Sequence, residues 1–346
     1  MVGLKKRGVI TAVAGILAAV TITGCSAAPD NDATVVTVGT EKVSYGVANF
    51  YARMQQAQYE SFYAGLMGMS ADTMWSQEVE EGKTYEENMK DSILESLENM
   101  YLVKQHASEY KVELTDEEKK KIDKAAEEFV EDNTLEDKEV VSGYKKYVEL
   151  ATIQQKMDAP MKEGVDENVS DEDAAQKKIE YVQFSYTKKD DSGQSVQMTD
   201  DEKKAEKEKA QTFLDTVSAD PDKDMNAAAA SAEKEVQTAT FDSESSTLNA
   251  DLLKAADALE NVGDVTSLIE TDDGIYVAKL TSKLDREATD QKKKEIVEER
   301  KQKQYEDQVE TWRKETDIKV DKKEWKKVDF EDQGVNVKQT TTDSEK

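Results

Sequence analysis

Among 346 residues the chain has one cysteine, Cys25, and one histidine, His106. Nucleophilic catalysis by a thiol or hydroxyl needs a neighbouring base to take up the proton. His106 lies in a helical run without a local partner of that kind, and Cys25 stands far away, directly behind an apolar leader. A hydrolase built on Ser-His-Asp or Cys-His is therefore excluded, and zinc lacks its usual Cys and His ligands. Asp220-Pro221-Asp222-Lys223-Asp224 opens like a calcium loop, but the sixth place is Met225 rather than Gly and the twelfth is Ser231 rather than Glu. It reads as a solvated acidic turn. Neither a glycine-rich phosphate loop nor a dinucleotide fingerprint is present, so no metal and no cofactor are expected.

The remaining chemistry of Cys25 is acylation. Lys5, Lys6 and Arg7 precede an uncharged run from Val9 to Ile22, a basic n-region followed by an apolar h-region. As a helix that run spans about 21 Å at the usual rise per residue, short of the roughly 30 Å hydrocarbon core of a bilayer, so it reads as a cleavable signal. Ile22-Thr23-Gly24-Cys25 resembles the lipobox of bacterial lipoproteins, in which the cysteine thiol carries the lipid. Stable anchoring takes more than one acyl chain, which a diacylglyceryl-type modification supplies. The resemblance implies lipidation at Cys25 and a mature protein on the outer face of the cytoplasmic membrane.

The formal charge is −28, and removal of the basic signal makes it more negative still. A chain this acidic repels nucleic acid and anionic headgroups, so neither is an expected partner. With 35% charged residues, 3 Pro and 15 Gly, the composition points to long solvent-washed helices with few tight turns.

Val35 to Val43 alternates around Gly39 as a short strand pair. Thr84 with Glu87 and Thr115 with Glu118 form capping boxes before apolar stripes at helical spacing, and the region from about 44 to 160 reads as helical. Val182, Phe184 and Tyr186 then alternate as a half-buried strand does, and a polar loop extends to about Met198. A third box, Thr199 with Glu202, opens a helix bearing Phe213 and Val217. A short alanine-rich helix, an extended piece ending at Phe241 and a helix from Leu248 to Leu259 follow. Asp272-Asp273-Gly274 between two apolar runs signals a hairpin. Arg286 to about Lys314 is a highly charged helix with a sparse apolar stripe, too weak to stand alone. A closing extended segment bears Ile318, Val320, Trp325 and Val328, and the natural arrangement returns it to the N-terminal region.

Val262 to Leu280, with Gly263-Asp264 leading to a strand, the Gly274 hairpin and a second strand, is similar to the closing signature of parvulin-type prolyl isomerases. The element order from Lys177 to about Ser282 is similar as well. Together with the lipobox, the helical N-terminal region and the long returning helix, the chain resembles the PrsA and SurA group of extracytoplasmic foldases and chaperones. The resemblance implies an α+β fold: a mostly helical chaperone-like domain (35–175 with 285–328) around an inserted parvulin-like domain (176–284). Residues 1–24 are read as the signal, 25–34 as a lipidated tether and 329–346 as a disordered polar tail.

Two departures stand out. Where parvulins usually place a histidine on the first strand and another after the hairpin glycine, this chain carries Tyr181 and Tyr276. Glu233 to Thr238 replaces the family's glycine-rich stretch. The resemblance places Leu248 and Leu252 at the proline pocket and makes Tyr181, Thr271, Asp273 and Tyr276 candidates for its polar floor. Isomerisation needs no nucleophile or metal, because its barrier of about 20 kcal/mol arises from amide resonance. A tyrosine-based network is one reading; two core or rim aromatics on a strand pair is the other.

Tyr59 to Trp75 is rich in Met and aromatic residues and poor in charge. A soft, adaptable surface there, with Phe62, Met67, Met69 and Trp75 as client contacts, is one expectation; filling of the N-terminal core is the other. The leading functional expectation is a lipoprotein chaperone or foldase whose parvulin-like domain is weakly catalytic or purely a binding module. An active isomerase with a tyrosine-based site and a non-catalytic scaffold or receptor remain alternatives. Expected partners are unfolded or newly exported polypeptides and the membrane, through the anchor; a homodimer is also compatible.

Overall fold

The computed structural model describes residues 18–19, 30–67, 74–80, 82–133, 138–330 and 336–337. Cys25 and Met69 lie outside the described residues. In chain order the elements are β1 (Thr34–Val38), β2 (Glu41–Ser44), α1 (Tyr45–Met67), β3 (Glu78–Glu80), β4 (Lys83–Thr84), α2 (Tyr85–His106), α3 (Asp116–Asn133) and α4 (Lys138–Met161). There follow β5 (Lys177–Ser185), β6 (Thr187–Lys189), β7 (Ser195–Gln197), α5 (Asp200–Ala219), α6 (Met225–Ser231), β8 (Gln237–Phe241) and α7 (Ala250–Asp257). The last are β9 (Ile269–Thr271), β10 (Gly274–Ser282), α8 (Arg286–Glu315), β11 (Ile318–Val320) and α9 (Lys322–Trp325). Ala18–Ala19 also pairs with Asn336–Val337. The chain is α+β, and it divides into two compact units, residues 1–164 with 301–346 and residues 165–300.

In the first unit β1 pairs with β2 on one side and with β11 on the other, both antiparallel, with Ile318 opposite Val38. The apolar residues of this sheet, Val35, Val36, Val38 and Val43, are buried against α1 and α2. The capping box at Thr84 forms in both directions, and so do the reciprocal bonds between Thr115 and Glu118. A second cluster joins α1, α3 and α4, where Phe50, Phe129 and Tyr144 pack edge-on or stacked. The helices α1 and α4 approach closely at Gly143, where a Cβ would stand 2.9 Å from the Gly46 carbonyl oxygen.

The sparse stripe of α8 is supplemented by polar clamps. Within the first unit Val309 and Trp312 are buried, and Arg313 donates to Glu98 at 2.7 Å and to the Glu95 carbonyl at 3.0 Å. Gln304 donates to the Met161 carbonyl at 2.7 Å. His106, at the end of α2, stacks on Trp312 with ring centroids 4.2 Å apart and sits 2.7 Å from Glu109.

The second unit is a four-stranded antiparallel sheet in the order β9-β10-β5-β8. One face carries Val182, Phe184, Ile275 and Val277 against α5 and α6; the other carries Ile179, Tyr276, Ala278 and Leu280 against α7. The alternation of strand side chains produces this two-sided core. The polar stretch before Met198, expected as a loop, forms the β6-β7 hairpin. The α7 helix is shorter than the apolar pattern suggests, because the Asn249 side chain accepts from the Asp251 and Leu252 backbone N–H groups and sets the start there. Leu248 therefore precedes the helix, and Leu259 follows it.

The unit boundaries fall farther out in sequence than 176 and 284. Asp171 accepts from Arg286 and Lys293, and Arg300 donates to the Asp166 carbonyl at 2.9 Å, which ties the first half of α8 to the segment after Gly164. The compact core of the first unit also runs past the expected end at 328, because Phe330 is buried in it.

Candidate functional site

Strand register brings the tyrosines together. Tyr276 lies opposite Gln183 and Ala278 opposite Tyr181, so Tyr181 and Tyr276 are diagonal neighbours on the α7-side face, within mutual reach of aromatic side chains. Their ring centroids are 6.2 Å apart at 45°. Tyr276 is 6% exposed and Tyr181 is partly buried.

The hairpin supplies the acid. Thr271 pairs with Gly274, which leaves Asp272 and Asp273 as the two loop residues, and Gly274 opens the strand rather than the turn. A Cβ at Gly274 would stand 2.5 Å from the Phe184 carbonyl oxygen, a strand approach that only glycine permits. Asp273 accepts from the Tyr276 hydroxyl at 2.8 Å and lies within reach of the Thr271 hydroxyl, which is also 2.9 Å from the Gly274 carbonyl. Gln183 reaches the same carboxylate at 3.4 Å. The Tyr181 hydroxyl donates to Gln237 on the edge strand β8 at 2.6 Å.

The electrostatics follow from these contacts. The Thr271 hydroxyl, then that of Tyr276, holds the Asp273 carboxyl below the usual range against the opposing effect of partial burial. Burial first, and then the Asp273 hydrogen bond and charge, pushes the Tyr276 phenol well above its ordinary value. Asp273 is thus an ionised acceptor and Tyr276 a neutral donor at neutral pH. A carboxyl depressed in the folded state contributes stability above its unfolded pKa of about 3.9, which is lost as pH falls through the lower folded value. Tyr276→Phe removes one of the bonds that depress it. The acid unfolding midpoint of the second unit, read by hydrogen exchange, is expected at higher pH in Tyr276→Phe than in wild type; an unchanged midpoint would show that the bond contributes nothing.

Thr271, Asp273 and Tyr276 thus form one hydrogen-bonded group, with Tyr181 beside it. Leu252 is 1% exposed in the core beneath this face, and Leu248 packs at its edge, partly buried. Gln183 and Gln237 escape the sequence reading. Gln183 has a usable signal, since it stands two residues after Tyr181 and so shares its face; Gln237 has none, because its place depends on the pairing of β8 with β5.

The Met and aromatic stretch resolves differently for its members. Trp75 is 0% exposed, with its ring 4.8 Å from Phe330 and 5.5 Å from Tyr85, and its indole N–H donates to Glu60 at 2.9 Å. It is a core residue and not an open surface contact, because Phe330 and Tyr85 cover its ring and Glu60 takes its donor inside the unit. The side chains of Phe62 and Met67, in the last turns of α1, lie outside those described.

No protein-family model matches the chain, and no curated protein matches it. Among solved structures the chain is similar to the foldase protein PrsA from Lactococcus lactis, with 15% identity over 86% of this chain and 97% of that one and a TM-score of 0.33. A peptidylprolyl isomerase (PrsA) from Bacillus cereus shows 19% identity over 86% and 98%, with a TM-score of 0.30. PrsA from Bacillus subtilis shows 18% identity over 70% and 90%, with a TM-score of 0.21.

Proposed function

We propose that the chain is a lipid-anchored folding factor on the outer side of the cytoplasmic membrane. It holds newly exported polypeptides, and its sheet-and-helix unit binds proline-containing segments while accelerating their isomerisation weakly or not at all. The observation that carries this reading is the commitment of both phenolic protons, that of Tyr276 to Asp273 and that of Tyr181 to Gln237. Catalysis of prolyl rotation by hydrogen bonding needs a donor at the imide nitrogen, whose lone pair becomes available as the amide twists out of conjugation. Neither phenol has a proton left for that task. What the face does offer is the partly exposed ring of Tyr181 and acceptor oxygens, which suit binding of an apolar ring next to a peptide N–H. The location rests on the basic and apolar leader and on Ile22-Thr23-Gly24-Cys25.

The test pairs two assays on the full chain in detergent micelles: suppression of aggregation of a denatured client, and isomerisation of peptides with varied residues before proline. Client holding without acceleration over the uncatalysed rate is expected. Acceleration abolished by Tyr181→Phe or Tyr276→Phe would replace this reading with a histidine-free isomerase, and failure in both assays would leave a scaffold or receptor. In cells, Cys25→Ala is expected to move the protein out of the membrane fraction, since the thiol that takes the lipid is gone.

A further inference from the structure

The segment after α9 has neither strand nor helix of its own, yet Val328 is 0% and Phe330 2% exposed. Its backbone is held by side chains of α1 and α2. The Tyr45 hydroxyl donates to the Lys327 carbonyl at 3.3 Å, and the Lys90 ammonium donates to the Val328 carbonyl. Glu86 accepts the Phe330 N–H at 3.0 Å, and the Gln56 amide donates to the Phe330 carbonyl at 3.1 Å. The Phe330 ring packs against Trp75 and lies 5.4 Å from the Arg53 guanidinium carbon. Arg53 is itself buried and donates to Asn49 at 3.2 Å and to Gln56 at 2.5 Å.

Two aspects set this apart from ordinary core packing. Contacts to carbonyl and N–H groups carry no side-chain identity, so another segment that follows the same backbone course satisfies them equally. The seat for the ring, by contrast, is selective. Burying a guanidinium carries a desolvation cost that an apolar floor avoids, and a cation under a ring favours an aromatic occupant. Val328 and Phe330, two residues apart, are both buried in the core of the first unit, and the Lys327 and Val328 N–H groups turn back to the Glu324 and Trp325 carbonyls at the end of α9.

We propose that the groove between α1 and α2 is a peptide-binding site, filled in cis by residues 327–330, that accepts in exchange a client segment with an apolar residue two positions before an aromatic one. The incoming peptide reproduces the four backbone contacts and inserts its ring against Trp75 and Arg53. The segment 327–330 is then a displaceable plug that keeps the groove covered when no client is present. This inference rests on the reading of the chain as a folding factor, but its test reads peptide exchange and not folding.

The probe is a fluorescein-labelled hexapeptide, Lys-Lys-Val-Asp-Phe-Glu, copying residues 326–331, added to the full chain in detergent micelles. It is expected to bind the Phe330→Ala chain at least tenfold more tightly than wild type, whose groove is occupied, and the same peptide with alanine for phenylalanine is expected to bind neither. Equal affinity for the two chains, or no binding to a Phe330→Ala chain with wild-type circular dichroism, overturns the proposal. Should that variant fail to fold, the wild-type chain decides: excess peptide is expected to speed amide exchange at residues 326–330 at least tenfold, and an unchanged rate overturns the site. A chain that exchanges peptide but holds no client overturns the folding role and leaves the groove standing.

Discussion

Trp75→Ala is expected to lower the unfolding free energy of the first unit by about 3–5 kcal/mol, the range for truncating a large buried aromatic. The ring is enclosed between Phe330 and Tyr85, so its removal leaves a cavity that neighbours on three different segments cannot close together. The change also removes the N–H that Glu60 accepts. Trp75→Phe retains most of the ring and loses only the donor, which puts its cost at about 1–3 kcal/mol for a bond to a charged group. Both are read by urea denaturation followed through tryptophan fluorescence. That signal reports the first unit alone, because Trp75, Trp312 and Trp325 all belong to it. A loss below about 1 kcal/mol for the alanine variant, accompanied by weaker client holding, would sink the core assignment and restore Trp75 as a surface contact.

Gly274→Ala is expected to destabilise the second unit by about 2–4 kcal/mol, from overpacking and an unfavourable backbone conformation together. The residue has φ +154°, and the added methyl would meet the Phe184 carbonyl oxygen at 2.5 Å and the Ser185 Cα at 3.0 Å. These are backbone atoms of the neighbouring central strand, so relief requires β5 and β10 to separate, and that separation breaks the register that holds Tyr181 beside Tyr276. Amide exchange of Val182 and Ile275 measures the loss. Asp272→Ala, one loop residue away and exposed, serves as the control and is expected to stay within about 0.5 kcal/mol of wild type. If the two variants behave alike, the close strand approach is not a constraint on the fold.

These two positions show where sequence reading succeeds and where it stops. Gly274 announces itself through Asp272-Asp273-Gly274 between apolar runs, and β9 and β10 form the hairpin there, with Gly274 as the first residue of β10. The reason that glycine is required is a different one: the carbonyl of Phe184, a residue ninety positions earlier, occupies the space. Trp75 carries no local sign of its burial, since its stretch is compatible with either a surface or a core. The outcome depends on Phe330, which composition assigns to the polar tail.

Features whose partners lie within a few residues are legible in the order of the chain. Thr84 with Glu87 and Thr199 with Glu202 close reciprocal caps across three positions, and Val182 and Phe184 bury one face of a strand by simple alternation. Tertiary structure alone decided how the polar groups are spent. Tyr181 reaches Gln237 through the pairing of β8 with β5, Gln183 reaches Asp273 across β5 and β10, and Phe330 finds Trp75 and Arg53 through the return of the C-terminal segment. The physical reason is that a cap or an alternation is satisfied by the backbone next to it, whereas the exposure of a side chain and the direction of its proton are set by register and packing between segments the chain order keeps apart.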